Sequence, residues 1–169
     1  MIIPGKTTDI SEIIALTRAC ANHMISQGIY QWNEHYPNKN AFENDVHRNE
    51  LFVYKQEDKI IGTIVISSIM DEEYKDINWL TPSINNLYIH RLAVHPDFQK
   101  QGKAREMMDF ALAYAKDKKA SSLRLDTFSQ NKRNHIFYES RGYKRLGNVY
   151  FPKQSKDPFY CYENVLIYE

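Results

Sequence analysis

Cysteine is scarce. Cys20 and Cys161 are the only two among 169 residues. They lie far apart and form no Cys-x-x-Cys, which argues against a disulfide framework and a zinc site. No charge sign dominates, since 22 Lys and Arg face 21 Asp and Glu, for a net charge of +1. That balance steers the chain toward neither nucleic acid nor an acidic membrane, so any anion site has to be local. No segment approaches the ~18 uninterrupted apolar residues of a membrane span. The stretch MIIPGKTTDI holds no apolar core of signal-peptide length. Repeats and low-complexity tracts are also missing. These absences predict a cytoplasmic chain with no membrane, nucleic-acid or metal partner.

What is present is ordinary for a globular protein: 43% hydrophobic and 25% charged residues. At this length one core buries most apolar side chains, and the expectation is a single domain over residues 1–169. Residues 9–27 read as a helix, with Ile10, Ile13, Ile14, Thr17 and Ala21 or Met24 at helical spacing and Gly28 as its stop. An aromatic and polar loop, IYQWNEHYPNKN, comes next, then a short helix over 40–49. Residues 51–68 read as a hairpin turning at Glu57-Asp58-Lys59. Residues 70–86, rich in acids and broken by Pro82, read as an exposed loop. LYIHRLAV is a third β-rich run, ended by His95-Pro96. Residues 102–118 have a strong helical period, with Ala104, Met107, Met108, Ala111, Leu112 and Ala115 on one face. A strand over 121–128, a helix over 131–140 and two β-rich runs, 143–151 and 159–168, complete the chain. The order α-α-β-β-β-α-β-α-β-β implies a mixed α/β fold with parallel strand–helix–strand units.

The most informative stretch is RLAVHPDFQKQGKAREMM, residues 91–108. A β-rich run stops at Pro96, and a polar loop with Gly102 opens a helix. The first turn of a helix leaves backbone N–H groups unpaired and carries partial positive charge, and phosphate is its natural partner. Gly102 removes a side chain where an anion would approach. Lys100, Lys103 and Arg105 add charge, and Gln99 and Gln101 add donors. A plain strand-to-helix turn with a solvated basic face accounts for the same spacing. A Walker loop is excluded, because Asp97 takes the first Gly slot and Ala104 the Ser/Thr slot. A dinucleotide fingerprint is excluded too, since only Gly102 of its three glycines is present.

QKQGKA resembles the Gln/Arg-x-x-Gly-x-Gly/Ala pyrophosphate loop of the GNAT acetyltransferase superfamily. RLAVHPDF resembles that family's bulged central strand. NKRNHIFYESRGY resembles the helix after the next strand, through Asn131, Phe137, Tyr138, Gly142 and Tyr143, with Asn134 standing where Ala is usual. The likeness is strong over residues 51–145 and rests on element order alone for the first helices. It implies a GNAT-like, mostly antiparallel sheet of six to seven strands, flanked by helices, with a splayed central parallel pair, 87–94 and 121–128.

The resemblance also implies an acetyl-CoA-dependent N-acetyltransferase, with direct attack by an amine on the thioester. Acetyl-CoA would lie in the splay. Leu92 and Val94 would offer backbone N–H and C=O groups to the pantetheine arm, with the Leu92 N–H donating to the acetyl oxygen as an oxyanion donor. Gln99, Lys100, Gln101, Gly102, Lys103, Ala104 and Arg105 would wrap the pyrophosphate. Asn131 would bond the pantetheine, cap its own helix, or do both. Tyr138 would protonate the leaving thiolate, for an unperturbed Tyr of pKa ~10 starts protonated. The plain alternative for Tyr138 is an aromatic contact.

His90 titrates in the right range for the general base. Tyr88, Glu34, Asp126, Glu163 and water are the alternatives. Neither Cys20 nor Cys161 is expected to lie near these motifs, which argues against a Cys nucleophile. Trp32, Glu34, Tyr36 and Tyr160, with Phe159 and Tyr162, are nominated for the acceptor side. Aromatic walls and one acid would suit a cationic amine of a small molecule or peptide, though Trp32 and Tyr36 serve equally well as cover for the core. A non-catalytic CoA-binding or interaction module on the same fold is the second reading. The oligomeric state is expected to be monomer or homodimer.

Overall fold

We describe residues 1–168 of a computed structural model. Seven strands and four helices follow the chain: β1 Ile2–Pro4, α1 Ile10–Ser26, α2 Lys39–His47, β2 Leu51–Gln56, β3 Lys59–Ser67, β4 Asn86–Val94, α3 Lys103–Asp117, β5 Ser122–Phe128, α4 Lys132–Ser140, β6 Lys144–Val149 and β7 Phe159–Val165. The sheet has the strand order β1-β2-β3-β4-β5-β7-β6. It is mostly antiparallel, and the parallel pair is β4 with β5, registered from Asn86↔Ser122 to Tyr88↔Arg124. The expected mixed α/β fold is therefore present. The strand β1 was missed because three residues give no readable alternation. It pairs through Ile3↔Val53 against β2.

Two compact units can be distinguished among the described residues, residues 1–66 with 90–111 and residues 67–89 with 112–168. In the first, α1 buries Ile10, Ile13, Leu16, Thr17, Cys20 and Ala21, a repeat at helical spacing. That face packs with Trp32, Phe42 and the strand residues Leu51, Val53 and Val65. The hairpin β2–β3 turns through Glu57 and Asp58 at φ of 51° and 65°. Two left-handed residues in succession match the strand twist of a tight hairpin. At Gly62 of β3, a Cβ would lie 2.8 Å from the Met107 Cε and 3.1 Å from the Ala93 carbonyl oxygen. A side chain there would push β3 off α3 and β4.

The second unit is organised around Arg124 of β5 and Glu163 of β7, both fully buried. Arg124 Nε donates to Glu163 at 2.9 Å, Nη2 to the Thr81 carbonyl at 2.7 Å, and Nη1 to Ser83 at 2.8 Å and Tyr88 at 3.1 Å. Trp79 stacks on the guanidinium, 4.4 Å from ring centre to Cζ. The residues expected to form an exposed loop, 70–86, are thus partly anchored. Tyr74 is fully buried and donates to Asp126, and Leu80 N donates to Glu163. The reason is electrostatic. A guanidinium buried in β5 needs acceptors and cover, and this segment supplies both.

Candidate active site

The first unit carries the bulged strand and the glycine loop. Arg91, in the middle of β4, has φ +49°. A long side chain in the left-handed region is uncommon and marks a fixed departure from strand geometry. Arg91 is gripped by Asp45 of α2, through Nε at 2.8 Å and Nη2 at 2.6 Å, and its Nη1 donates to the Tyr36 hydroxyl at 2.9 Å. Burial opposes the Arg91 charge, but Tyr36 and Asp45 outweigh it and hold the pKa above the ordinary value. The neighbouring His90 moves the other way. Burial first, then the Arg91 charge, lowers its pKa to about 4 against a weaker upward pull from Asp45. His90 is therefore neutral at pH 7, with its lone pair available, but it is a weak proton acceptor.

Beyond β4, His95 caps a short turn at Pro96–Phe98 by accepting from Asp97 N at 3.1 Å. Lys100 and Gly102 both have positive φ, +62° and +79°. Nothing lies within 4 Å of where a Gly102 Cβ would stand. The bond from Glu106 N to Gly102 O, 3.0 Å, opens the α3 ladder, so the amides before it in that turn are left over. Lys100 and Arg105 are exposed.

The remaining polar side chains of the loop have partners inside the protein. Gln99 Nε2 donates to the Val94 carbonyl at 2.9 Å, and Gln101 Nε2 to that of Asp97 at 3.3 Å. Lys103 Nζ donates to Tyr54 at 3.2 Å, and Tyr54 in turn donates to Glu106. The Val94 carbonyl, expected to face a ligand, has a second partner within the protein. That oxygen also accepts from Cys20 Sγ at 3.1 Å, so both its lone pairs are taken. The same contact corrects the view that Cys20 is remote from these motifs, since α1 packs it against the end of β4. Burial pushes the Cys20 thiol up to about 12, so it stays protonated and is no nucleophile. Burial likewise raises Cys161.

Trp32 is only 7% exposed and belongs to the core, so it has little surface for an acceptor. Glu34, with 80% of its side chain exposed, sits beside His35. Tyr36 is presented by a tight turn in which Asn33 Oδ1 accepts from the amides of His35 and Tyr36, at 2.8 and 3.0 Å.

The second unit carries Asn131, Tyr138 and Tyr160. Asn131 caps α4 by accepting from Asn134 N at 3.2 Å. Asn134 reaches back to the Thr127 hydroxyl at 3.0 Å, a tie that Ala could not make. Tyr138 is buried among Phe137, Tyr143 and Tyr162, with ring centres 5.2, 5.8 and 6.2 Å away. Desolvation, reinforced by Tyr143 and the Asp126 charge, raises the Tyr138 pKa well above that of a free tyrosine, so it holds its proton firmly.

Tyr160 stacks with Arg145 at 4.0 Å and His135 at 5.0 Å. Phe159 and Tyr162 are core residues, the former against Phe128 and Phe151. Burial also raises Tyr88, which partners Arg124. Glu163 already accepts from Ser122, Thr81, Arg124 and the Leu80 amide, which hold its pKa down against desolvation. A carboxylate so saturated has no capacity left for a substrate proton. Among the described residues, no group of three or more His, Cys, Asp or Glu is placed to hold a metal ion, and no helix is long and apolar enough to cross a membrane.

A left-handed residue inside β4, a glycine loop opening α3 and the parallel β4–β5 pair describe an acetyltransferase fold, and comparison with known proteins agrees. The profile of the acetyltransferase (GNAT) family matches residues 16–143, and the chain belongs to that family. It is an acyltransferase of the N-acetyltransferase class, whose members use acetyl-CoA. The chain is similar to the uncharacterized N-acetyltransferase YesJ of Bacillus subtilis (strain 168), 21% identical over 146 residues, which are 85% of this chain and 81% of that one. Its fold is similar to a GNAT-family acetyltransferase from Streptococcus agalactiae 2603, with a TM-score of 0.84 and 20% identity over 99% of this chain and 96% of the other. The fold is also similar to that of the ribosomal-protein-S18-alanine N-acetyltransferase of Escherichia coli, with a TM-score of 0.72 and 15% identity over 100% and 95% of the two chains.

Proposed function

We propose that this protein transfers the acetyl group of acetyl-CoA to a primary amine of a small molecule or peptide by direct attack, without an acyl-enzyme. The observation that carries this reading is the loop before α3. Gly102 takes a positive φ, the space over its Cα is open, the turn has spare amides, and Lys100 and Arg105 are exposed. Backbone N–H groups, helix dipole and two exposed cations suit a pyrophosphate. Lys103, Gln99 and Gln101 contribute by shaping the loop, with Ala104 keeping the first turn small.

Acetyl-CoA supplies an activated thioester when bound. In our reading the Leu92 N–H stabilises negative charge on the acetyl oxygen. The Val94 amide and Asn131 hold the pantetheine arm. Tyr138, protonated and desolvated, gives its proton to the departing sulfur. His90 is nominated to take the proton shed by the amine; its pKa of about 4 makes it a weak acceptor, so ordered water that passes the proton to bulk solvent is the alternative. Glu34, Tyr36 and Tyr160 face the acceptor, and Trp32 supports them from the core. The family match runs through both compact units, which supports reading residues 1–169 as one catalytic domain. A cytoplasmic monomer or homodimer fits this use of acetyl-CoA. Peptide amines stay among the acceptors, as one structural neighbour acts on a ribosomal-protein alanine.

The test is acetyl-CoA-dependent thiol release against spermidine, L-lysine, aminoglycosides, phenethylamine and alanyl peptides. Turnover of any of these with N-acetylated product supports the reading. Calorimetric binding of acetyl-CoA without any turnover would instead favour the non-catalytic module.

A further inference from the structure

We propose that Asp45 and Tyr36 are positioning residues, which hold Arg91 so that β4 keeps its left-handed bulge and aims the following amide, Leu92 N–H. The proposal rests on the acetyl-transfer reading for its kinetics but not for its structure.

The argument begins with the backbone. Arg91 has φ +49° inside a nine-residue strand, Asn86–Val94. Such a conformation is strained for a non-glycine residue and persists only where the surroundings over-determine it. No local sequence feature provides for it. Glycine, asparagine or aspartate at this position would relieve the strain, and none is there. The restraint comes from the far end of the side chain. Three hydrogen bonds fix the plane of the guanidinium: two on Asp45, at 2.8 and 2.6 Å, and one on the Tyr36 hydroxyl at 2.9 Å. The side chains of Arg91 and Asp45 are 14% and 2% exposed, so water does not compete for the fork.

Stability alone does not account for the pair. A buried ion pair is often no better than apolar residues of the same volume, because desolvation offsets the attraction. A bidentate fork does supply geometry that apolar packing lacks. Both anchors are themselves fixed. Asp45 sits in α2, whose first turn is capped by Asn38 accepting from Ala41 N at 2.9 Å. Tyr36 closes the Asn33 turn, with Asn33 N donating to its carbonyl at 3.1 Å. The chain thus has a rigid path from the loop before α2 to the one strained residue of β4. An oxyanion donor works only if held near its final position, and a misplacement of ~1 Å costs on the order of 100-fold in rate. The loop nominated for the acceptor and the backbone nominated for the thioester are therefore one mechanical piece.

The experiment compares Asp45→Asn, Arg91→Lys and Tyr36→Phe with wild type in two assays. The first is steady-state kinetics with acetyl-CoA and whichever amine of the panel above is turned over fastest. The second is the ¹H–¹⁵N resonance of Leu92. Arg91→Lys keeps the charge and loses the fork. We expect kcat to fall about 10- to 100-fold in Asp45→Asn and Arg91→Lys, with the KM for acetyl-CoA within about 3-fold of wild type and the Leu92 resonance displaced. Tyr36→Phe loses one hydrogen bond, folds in any case, and should fall about 3- to 10-fold. Wild-type kcat and an unmoved Leu92 resonance in folded Arg91→Lys would overturn the proposal, as would the same outcome in Tyr36→Phe if Asp45→Asn fails to fold. If wild type acetylates no amine, the acetyl-transfer reading fails, and the Leu92 resonance alone decides the positioning role.

Discussion

Each compact unit buries one arginine against one carboxylate, and the two pairs differ in what surrounds them. Arg124 lies in β5 at an ordinary strand position, and its partner Glu163 takes four donors, from Ser122, Thr81, Arg124 and Leu80. Every group is answered, and the result is a strut that ties residues 79–83 to two strands. Arg91 has fewer partners and a strained backbone, and it stands directly before the residue we assign as the oxyanion donor. Chemically similar pairs therefore serve different ends. The backbone conformation at the arginine tells them apart.

The sharpest way to break this comparison is Glu163→Gln. It leaves Arg124 buried beside a neutral amide and should cost about 3–5 kcal/mol in urea unfolding, with the kcat of the remaining folded protein little changed. A loss under about 1 kcal/mol would mean the pair is no strut. Next is Gly102→Glu in the first unit. It adds a side chain and a negative charge at an open position with φ +79°. Acetyl-CoA affinity by calorimetry should drop about 1,000-fold, whereas Gly102→Ala should mainly show the backbone strain, about 1 kcal/mol of stability. Unchanged affinity in Gly102→Glu would remove the loop as the anion site.

Third, Tyr138→Phe asks whether the second unit supplies chemistry as well as packing. It should lower kcat about 100-fold and leave acetyl-CoA binding intact. An unchanged rate would return Tyr138 to the role of an aromatic contact. The smallest effect is read from His90, which lies in the field of Arg91 and Asp45. Its folded pKa, about 4, lies below the ordinary 6.5, so the unfolded chain binds more protons between those values. The His90 contribution to stability is complete above about pH 6.5 and is lost as pH falls toward 4, on the order of 2 kcal/mol of it by pH 5. His90→Asn should flatten that part of the curve in thermal melts at several pH values. A wild-type curve level from pH 6.5 to 4.5 would show that His90 is not desolvated as described.

Features with a local signature were readable in the sequence. The hairpin over 51–67, the helix of Met107, Met108 and Ala111, and the glycine loop all came from spacing and turn chemistry within a few residues. The acceptor-side reading fared differently. Trp32 lies in the core, because aromatic residues in a polar loop do not reveal which way they turn. The 70–86 segment is anchored by Arg124, which its own acids and Pro did not indicate. Val94 and Cys20 are 74 positions apart, and nothing local announces that one carbonyl answers one thiol. The order of the last strands, with β7 between β5 and β6, was equally unreadable from alternation.

The sequence alone determined the class of fold, the anion-suited loop and the tyrosine of α4, because each is written in residues that are neighbours along the chain. The tertiary structure decided which of those groups have capacity to spare. Gln99, Lys103 and the Val94 carbonyl are engaged within the protein, whereas Gly102, Lys100 and Arg105 are open. It also decided that Arg91 is strained, by joining it to partners 46 and 55 positions away. Hydrogen-bond capacity is finite and its partners are chosen by packing, so no reading of one segment shows where that capacity has gone.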